Sequence, residues 1–187
     1  MLKSDARKEL LEKRKNLTAT DCLKWDDLLL IQFQKLDWSN VSCVANFYPL
    51  ENKNEPNSLL FASYLKTMVP GIQIVYPVVD ENKTTMQFYK ETETLRFNEW
   101  GIAEPFATEK VDPTSIDAVI VPLIGFDRQG HRIGFGKGFY DKYFENYPKH
   151  RPRIGVSYFE PISNIQDTHE FDVPLTHCIT PWNSYEF

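Results

Sequence analysis

No stretch of this chain stays apolar long enough to cross a bilayer. Its longest apolar runs, 28–31 and 118–124, fall far short of the ~20 residues a membrane helix requires. The chain also has no apolar leader block. Met1-Leu2-Lys3-Ser4-Asp5-Ala6-Arg7 is charged almost from its start, so the expectation is a cytoplasmic protein. Cysteine is scarce: Cys22, Cys43 and Cys178 form an odd, scattered set with no C-x-x-C spacing. That argues against a disulfide framework and leaves buried free thiols as the simpler reading. An excess of positive charge is missing too. A formal net charge of −5 does not suit a nucleic-acid surface, although one local cluster of Lys and Arg can still hold a small anion. No repeat, low-complexity tract or linker divides the chain. With 42% hydrophobic residues it has the material for one core.

What is present reads as a single α/β domain spanning 1–187. Residues 3–16 have the pattern of a basic amphipathic helix, with Leu2, Ala6, Leu10 and Leu17 toward one face. Thr20 or Asp21 is the expected cap of a second helix carrying Leu23, Leu28, Ile31 and Phe33. A β-rich apolar run at 41–48 predicts a buried strand. A polar loop at 51–57, a helix at 58–68 and a strand at 72–79 follow it. Strand, helix and strand in this order predict a right-handed crossover within a mainly parallel sheet. Further strands are expected at 86–89, 116–121, 153–158 and 178–180, a helix at 138–147, and irregular chain at 101–113.

The strand at 116–121 runs into Pro122-Leu-Ile-Gly-Phe-Asp127-Arg-Gln-Gly-His-Arg132-Ile-Gly-Phe-Gly-Lys137-Gly-Phe-Tyr-Asp141. Closely spaced glycines let backbone N–H groups turn inward, and a nest of this kind before a helix attracts anions. Arg132 offers a planar fork to a phosphate and Lys137 a movable point charge. The position, beyond the carboxyl end of a strand, is also where open α/β sheets keep their ligand crevice. Two common fingerprints do not fit. A Walker loop needs Ser or Thr directly after its Gly-Lys, whereas Gly138-Phe139 follows Gly136-Lys137 here, and Gly134, Gly136 and Gly138 are spaced by two, unlike G-x-G-x-x-G. Glycine spacing alone therefore supports anion binding or an ordinary turn equally well.

The long combined string resembles the signature of the 5-formyltetrahydrofolate cyclo-ligase family: Pro, a Gly-Phe-Asp turn, Gly, then Arg-Ile-Gly-Phe-Gly-Lys-Gly-Phe-Tyr-Asp. The resemblance extends from Lys3 and Arg7 to the end of the chain. It implies an open, mainly parallel sheet flanked by helices, like that of sugar-phosphate isomerases. It also implies ATP-dependent closure of 5-formyltetrahydrofolate to 5,10-methenyltetrahydrofolate, with ATP as co-substrate and Mg²⁺. By the same resemblance Lys3, Ser4, Asp5, Ala6 and Arg7 border the nucleotide, together with Arg132, Ile133, Gly134, Phe135, Gly136, Lys137, Gly138, Phe139 and Tyr140. Lys137 and Arg132 are the expected stabilisers of the γ-phosphate. Arg7, Leu50, Glu55, Phe135, Gly136, Lys137, Gly138 and Phe139 are the expected folate contacts, and Asp141 the magnesium carboxylate. Where some members carry a second magnesium Asp this chain aligns His177, a poorer Mg²⁺ ligand; either water bridges the metal, or Asp172 substitutes from nearby, or the site rests on Asp141 alone. His169 and His177 lack further ligands at zinc spacing. The implied partner is the small folate, with or without a polyglutamate tail, and no nucleic acid or membrane; the chain itself is expected to be a monomer. Read without the resemblance, Lys3 and Arg7 are a solvated helix face, Glu55 an exposed loop acid and Asp141 a first-turn helix carboxylate. A pocket that binds without turnover, or an ATP-independent isomerase or lactonase using the basic loop, are the competing functions.

Overall fold

In the computed structural model, which describes residues 1–187, the first periodic segment is helix α1 (Lys3–Lys15). Its buried stripe is Ala6, Leu10 and Arg14; Leu2 stays exposed and Leu17 lies beyond the helix end. Helix α2 (Ala19–Phe33) begins two or three residues earlier than expected, because Thr18 rather than Thr20 or Asp21 is the cap. The Thr18 hydroxyl accepts the Asp21 amide at 3.1 Å, and the Asp21 carboxylate takes the Thr18 amide at 3.0 Å. That reciprocal box satisfies two N–H groups the helix itself cannot. Along the helix Leu29 and Phe33 face the core, while Leu23 and Ile31, expected on the helix's apolar side, are 69% and 49% exposed. Thr18→Ala is expected to destabilise the fold by about 1 kcal/mol. A melting curve should show this as a drop of roughly 2–4 °C in a chain of this size.

Strand β1 (Cys43–Ala45), helix α3 (Leu59–Met68) and strand β2 (Gln73–Val79) form the predicted parallel crossover unit, with Val44 opposite Ile74. The paired part of β1 is shorter than the 41–48 run. After the Asn46 amide bonds Val75 the chain leaves the sheet toward Pro49, and Tyr48 stacks on Tyr76 with centroids 4.0 Å apart. Strand β3 (Met86–Lys90) is antiparallel to β2 and ends the sheet on that side. The segment read as irregular contains part of a hairpin, β4 (Leu95–Phe97) with β5 (Ala103–Pro105). All three β4 residues are exposed, so no alternation marked them.

Strand β6 (Ala118–Pro122) supplies the centre of the sheet. Val119, Ile120 and Val121 are fully buried, as expected for a parallel strand covered on both faces. The chain then folds into a small hairpin, β7 (Gly125–Phe126) with β8 (Arg132–Ile133), before helix α4 (Phe139–Phe144). Strands β9 (Arg153–Val156), β10 (His177–Ile179) and β11 (Ser184–Glu186) complete a seven-stranded sheet of order β11-β10-β9-β6-β1-β2-β3. Its five inner strands are parallel and both edge strands antiparallel. Helices α2 and α3 cover one face, where Phe33 stacks on Phe61 at 4.5 Å beside Val44, Ile120 and Ile154. Tyr143 and Phe144 of α4 cover the other, against Ala45, Val119 and Val121. Cys43 and Cys178 lie in that second layer, and burial pushes the Cys43 thiol up to about 11, which keeps it unreactive at neutral pH. No helix is long and apolar enough to cross a membrane.

The strand order turns back between β1 and β6: the chain builds outward from β1 to β2 and β3, then returns to β1's other side. Crevices form at such switch points, beyond the carboxyl ends of the two strands. Helix α1 lies across this one, packing Ala6 and Leu10 on Ile124 and Ile133. The contact needs Gly125, where a Cβ would sit 2.3 Å from the Leu10 side chain.

Candidate functional site

Three segments meet at the switch point: the turn after β1, the loop from β8 to α4, and α1 above them. The loop carries Gly136 at φ +86° and Gly138 at φ +68°, the left-handed conformations that let it double back on itself. Phe135, Gly136, Lys137 and Gly138 are exposed. Helix α4 ends at Phe144, well before the expected residue 147, and no side chain caps its start. A helix this short has a weak dipole, so attraction for an anion here comes mainly from side-chain cations.

Those cations are arranged differently from one another. Lys137 has no carboxylate partner, and its ammonium lies 5.6 Å from the centre of the Trp100 ring, which in turn leans on Phe139 at 5.9 Å. Trp100 was not singled out in the sequence; it is one aromatic in the β4–β5 connection, and only the fold brings it to the loop. Arg132 is instead engaged inside the structure. Its Nη2 donates to Asp141 at 2.5 Å, its Nη1 donates to the Val173 carbonyl, and its guanidinium lies 5.3 Å from the centre of the Phe144 ring. Burial lowers its pKa, while Asp141 and Asp172 oppose that shift. Lys137 is thus the mobile charge of the pair and Arg132 the fixed one.

Lys3 and Arg7 face the same region from α1 rather than a solvated surface. The Arg7 Nε donates to the Gly134 carbonyl at 2.7 Å, and its guanidinium borders Gly136. The Lys3 ammonium pairs with Asp172 at 2.5 Å. Partial burial pushes the Asp172 carboxyl up, but hydrogen bonds from Lys3 and the His169 amide outweigh that and hold it below the ordinary range. Ser4 and Asp5 are exposed beside them, and Ala6 is the buried contact of that turn.

Glu55 is a buried group, 8% exposed, not the solvated loop acid its setting before Pro56 suggested. Its Oε2 accepts the Leu50 amide at 2.9 Å, so the two expected folate contacts are bonded to each other. Burial raises the Glu55 carboxyl; the Leu50 amide and the charge of Arg14 lower it again. Tyr140 is half-buried, its hydroxyl is enclosed without a partner, and that enclosure holds its pKa far above the ordinary phenol range. It remains a neutral donor.

The Asp141 Oδ1 accepts both Arg132 and the Val173 amide at 3.1 Å, leaving Oδ2 without a protein donor. No group of three His, Cys, Asp or Glu side chains converges anywhere. One carboxylate with one available oxygen suits a Mg²⁺ that arrives on phosphates and keeps its waters, not an all-protein cage. His177 takes no part in this arrangement. It sits at the opposite, N-terminal ends of the strands, lining a cavity of about 190 Å³ with Leu36, Trp38 and Ala118, and its Nδ1 meets the Thr176 hydroxyl. Asp172, tied to Lys3 and next to Val173, is the carboxylate beside Asp141. A larger cavity, about 300 Å³ between β3 and α4, is lined by Thr85, Met86, Pro113 and Lys142 and also lies apart from the loop's cations and Glu55.

Fold and site together define an open α/β protein with a cationic glycine loop and a buried carboxylate at its switch point. The model of the 5-formyltetrahydrofolate cyclo-ligase family matches residues 1–181, and the chain belongs to that family. It is accordingly an enzyme, a ligase of folate one-carbon metabolism. A 5-formyltetrahydrofolate cyclo-ligase of Mycoplasma pneumoniae is 29% identical over 162 residues, covering 84% of this chain and 86% of that one. The solved structure of the 5,10-methenyltetrahydrofolate synthetase of Mycoplasma pneumoniae superposes with a TM-score of 0.77 at 28% identity, over 97% of this chain and 99% of the other. That of Aquifex aeolicus gives 0.82 at 29% identity, over 100% and 93%.

Proposed function

We propose that this protein, as one domain over 1–187, closes 5-formyltetrahydrofolate to 5,10-methenyltetrahydrofolate with consumption of ATP, releasing ADP and phosphate. The formyl oxygen attacks the γ-phosphorus, a P–O bond forms, and the bond to ADP breaks. The resulting iminium phosphate is open to attack by N10; N10 loses its proton, and the C–O bond to phosphate breaks to leave the methenyl bridge. A formamide oxygen is otherwise a poor leaving group, so alignment and neutralisation of moving charge are the main work left for the protein.

The observation that carries this reading is the unpaired Lys137 ammonium on the glycine loop that leads into Tyr140, whose enclosed hydroxyl feels the charges of Glu55 and Arg132. Lys137 follows the γ-phosphate as charge moves to ADP. The α1 residues Lys3 and Arg7 and the loop 132–140 line the triphosphate, with Arg132 holding Asp141 in place. Glu55 accepts N–H groups of the pterin, beside Leu50, and Phe135 and Phe139 offer faces for stacking. Asp141 would hold Mg²⁺, which supplies charge neutralisation on the phosphates. The likeness of the sheet to sugar-phosphate isomerases belongs to the same reading and is supported by its five parallel inner strands.

A spectrophotometric assay with purified protein and 5-formyltetrahydrofolate tests the proposal. Absorbance of the methenyl product is expected only when both ATP and Mg²⁺ are added. Binding of both ligands with no product would favour a non-catalytic pocket. Turnover of a sugar phosphate without ATP would favour the isomerase reading.

A further inference from the structure

The largest fully buried side chain in the protein is a charged one, Arg14, on the inner stripe of α1. Its Nη2 donates to the Leu123 carbonyl at 2.5 Å, at the carboxyl end of β6, while Nε and Nη1 have no partner. A buried guanidinium with two unmet donors is costly unless an opposite charge lies near. Glu55 is its strongest attractive neighbour, though not within ion-pair distance. Glu55 is itself buried, with only Oε2 bonded. Asn54, the residue before Glu55, donates its side-chain amide to the Arg14 carbonyl at 3.0 Å and so fastens the end of α1 to the turn that carries the acid.

We infer that Arg14 is a positioning residue for the folate site: from the buried face of α1, its guanidinium keeps Glu55 an acceptor-only carboxylate for the N–H edge of the pterin. The inference rests on the folate reading above. An ionised carboxylate only accepts hydrogen bonds, whereas a protonated one turns one oxygen into a donor and loses its match to N–H groups. No other group nearby supplies the compensating charge. The Tyr158 hydroxyl and Cys22 thiol face Arg14, and the Tyr140 hydroxyl faces Glu55; burial raises the pKa of each, so all stay neutral. Asp26, behind Tyr158, accepts that hydroxyl at 2.7 Å. Burial raises the Glu55 carboxyl and Arg14 pulls it down, so removing the guanidinium raises it further. The folate-competent form is then lost at a higher pH as pH falls.

The test is kcat and KM for 5-formyltetrahydrofolate across pH in wild type, Arg14→Gln, Glu55→Gln and the double variant. Arg14→Gln is expected to raise the folate KM about tenfold near neutrality and to move the acid limb of kcat/KM upward by about one pH unit, the scale of one lost charge interaction. The KM for ATP should not change. If Arg14→Gln alone does not fold, the double variant, which removes both buried charges, is expected to fold and to bind folate as Glu55→Gln does. A folded Arg14→Gln with an unmoved acid limb overturns the inference, as does a double variant that is unfolded or binds folate less well than Glu55→Gln. Wild type with no affinity for 5-formyltetrahydrofolate would sink the folate reading itself, and this inference with it.

Discussion

Lys137→Ala is expected to lower ATP-dependent formation of the methenyl product by about 10²–10³-fold, the usual scale for removing one electrostatic stabiliser of a transferring group. Stability should change little. The Lys137 side chain is in an exposed stretch, has no ion pair, and lies over the Trp100 face. Such an exposed cation–π contact contributes about 0.5–1 kcal/mol. Activity and folding are therefore separable at this position, and a product assay beside a thermal melt checks both. Lys137→Arg keeps the charge but replaces a compact ammonium with a planar fork, so partial activity is expected. Wild-type turnover in Lys137→Ala would remove the residue from the mechanism. An equal fall in melting temperature and activity would make its role structural.

How legible the molecule was depends on how local each signal is. The loop from Arg132 to Asp141 could be read because glycines, Arg and Lys stand together in the chain and local turn chemistry decides their geometry. Strand β6 could be read because Val119, Ile120 and Val121 are apolar without alternation, the mark of burial on both faces. Helix α2 was found, with Phe33 inside as expected, but its cap was misplaced and Leu23 and Ile31 prove exposed. Thr18, Thr20 and Asp21 all have capping chemistry, and only the reciprocal bonds between Thr18 and Asp21 choose among them. Strands β4 and β11 are short pieces at sheet edges, where exposed residues such as Arg96 and Ser184 carry no period-two pattern. The rest of the site is a tertiary product. Arg14 looks like one more cation on a basic helix and Trp100 like a loop aromatic, while Asp172 could be read only as an alternative metal carboxylate and not as the partner of Lys3. Each enters the site through a partner more than twenty residues away: Leu123, Lys137 and Lys3. The same distance explains His177, which aligned with a metal position but whose strand begins at the far end of the sheet.

The second large effect is expected at Asp141, where the proposed function makes stability and catalysis depend on different oxygens. Oδ1 neutralises Arg132, whose side chain is 8% exposed, and accepts the Val173 amide; Oδ2 is the oxygen available to a metal. Breaking a fully buried ion pair costs about 3–5 kcal/mol, but Asp141 is 26% exposed, so solvent screening reduces this to roughly 1–3 kcal/mol for Asp141→Ala. Asp141→Asn keeps an acceptor for Arg132 and Val173 and should lie closer to wild type in a melt. In the assay the two variants should converge. An amide oxygen is a weaker Mg²⁺ ligand than a carboxylate, so both should need about tenfold more Mg²⁺ or more, a loss of at least ~1.4 kcal/mol at the site. A purely structural Asp141 predicts the opposite order: Asp141→Asn active at the wild-type Mg²⁺ requirement, with only Asp141→Ala impaired. A Mg²⁺ titration of both variants at fixed ATP, set beside their melting temperatures, therefore decides whether the carboxylate that closes the glycine loop serves the metal or only Arg132.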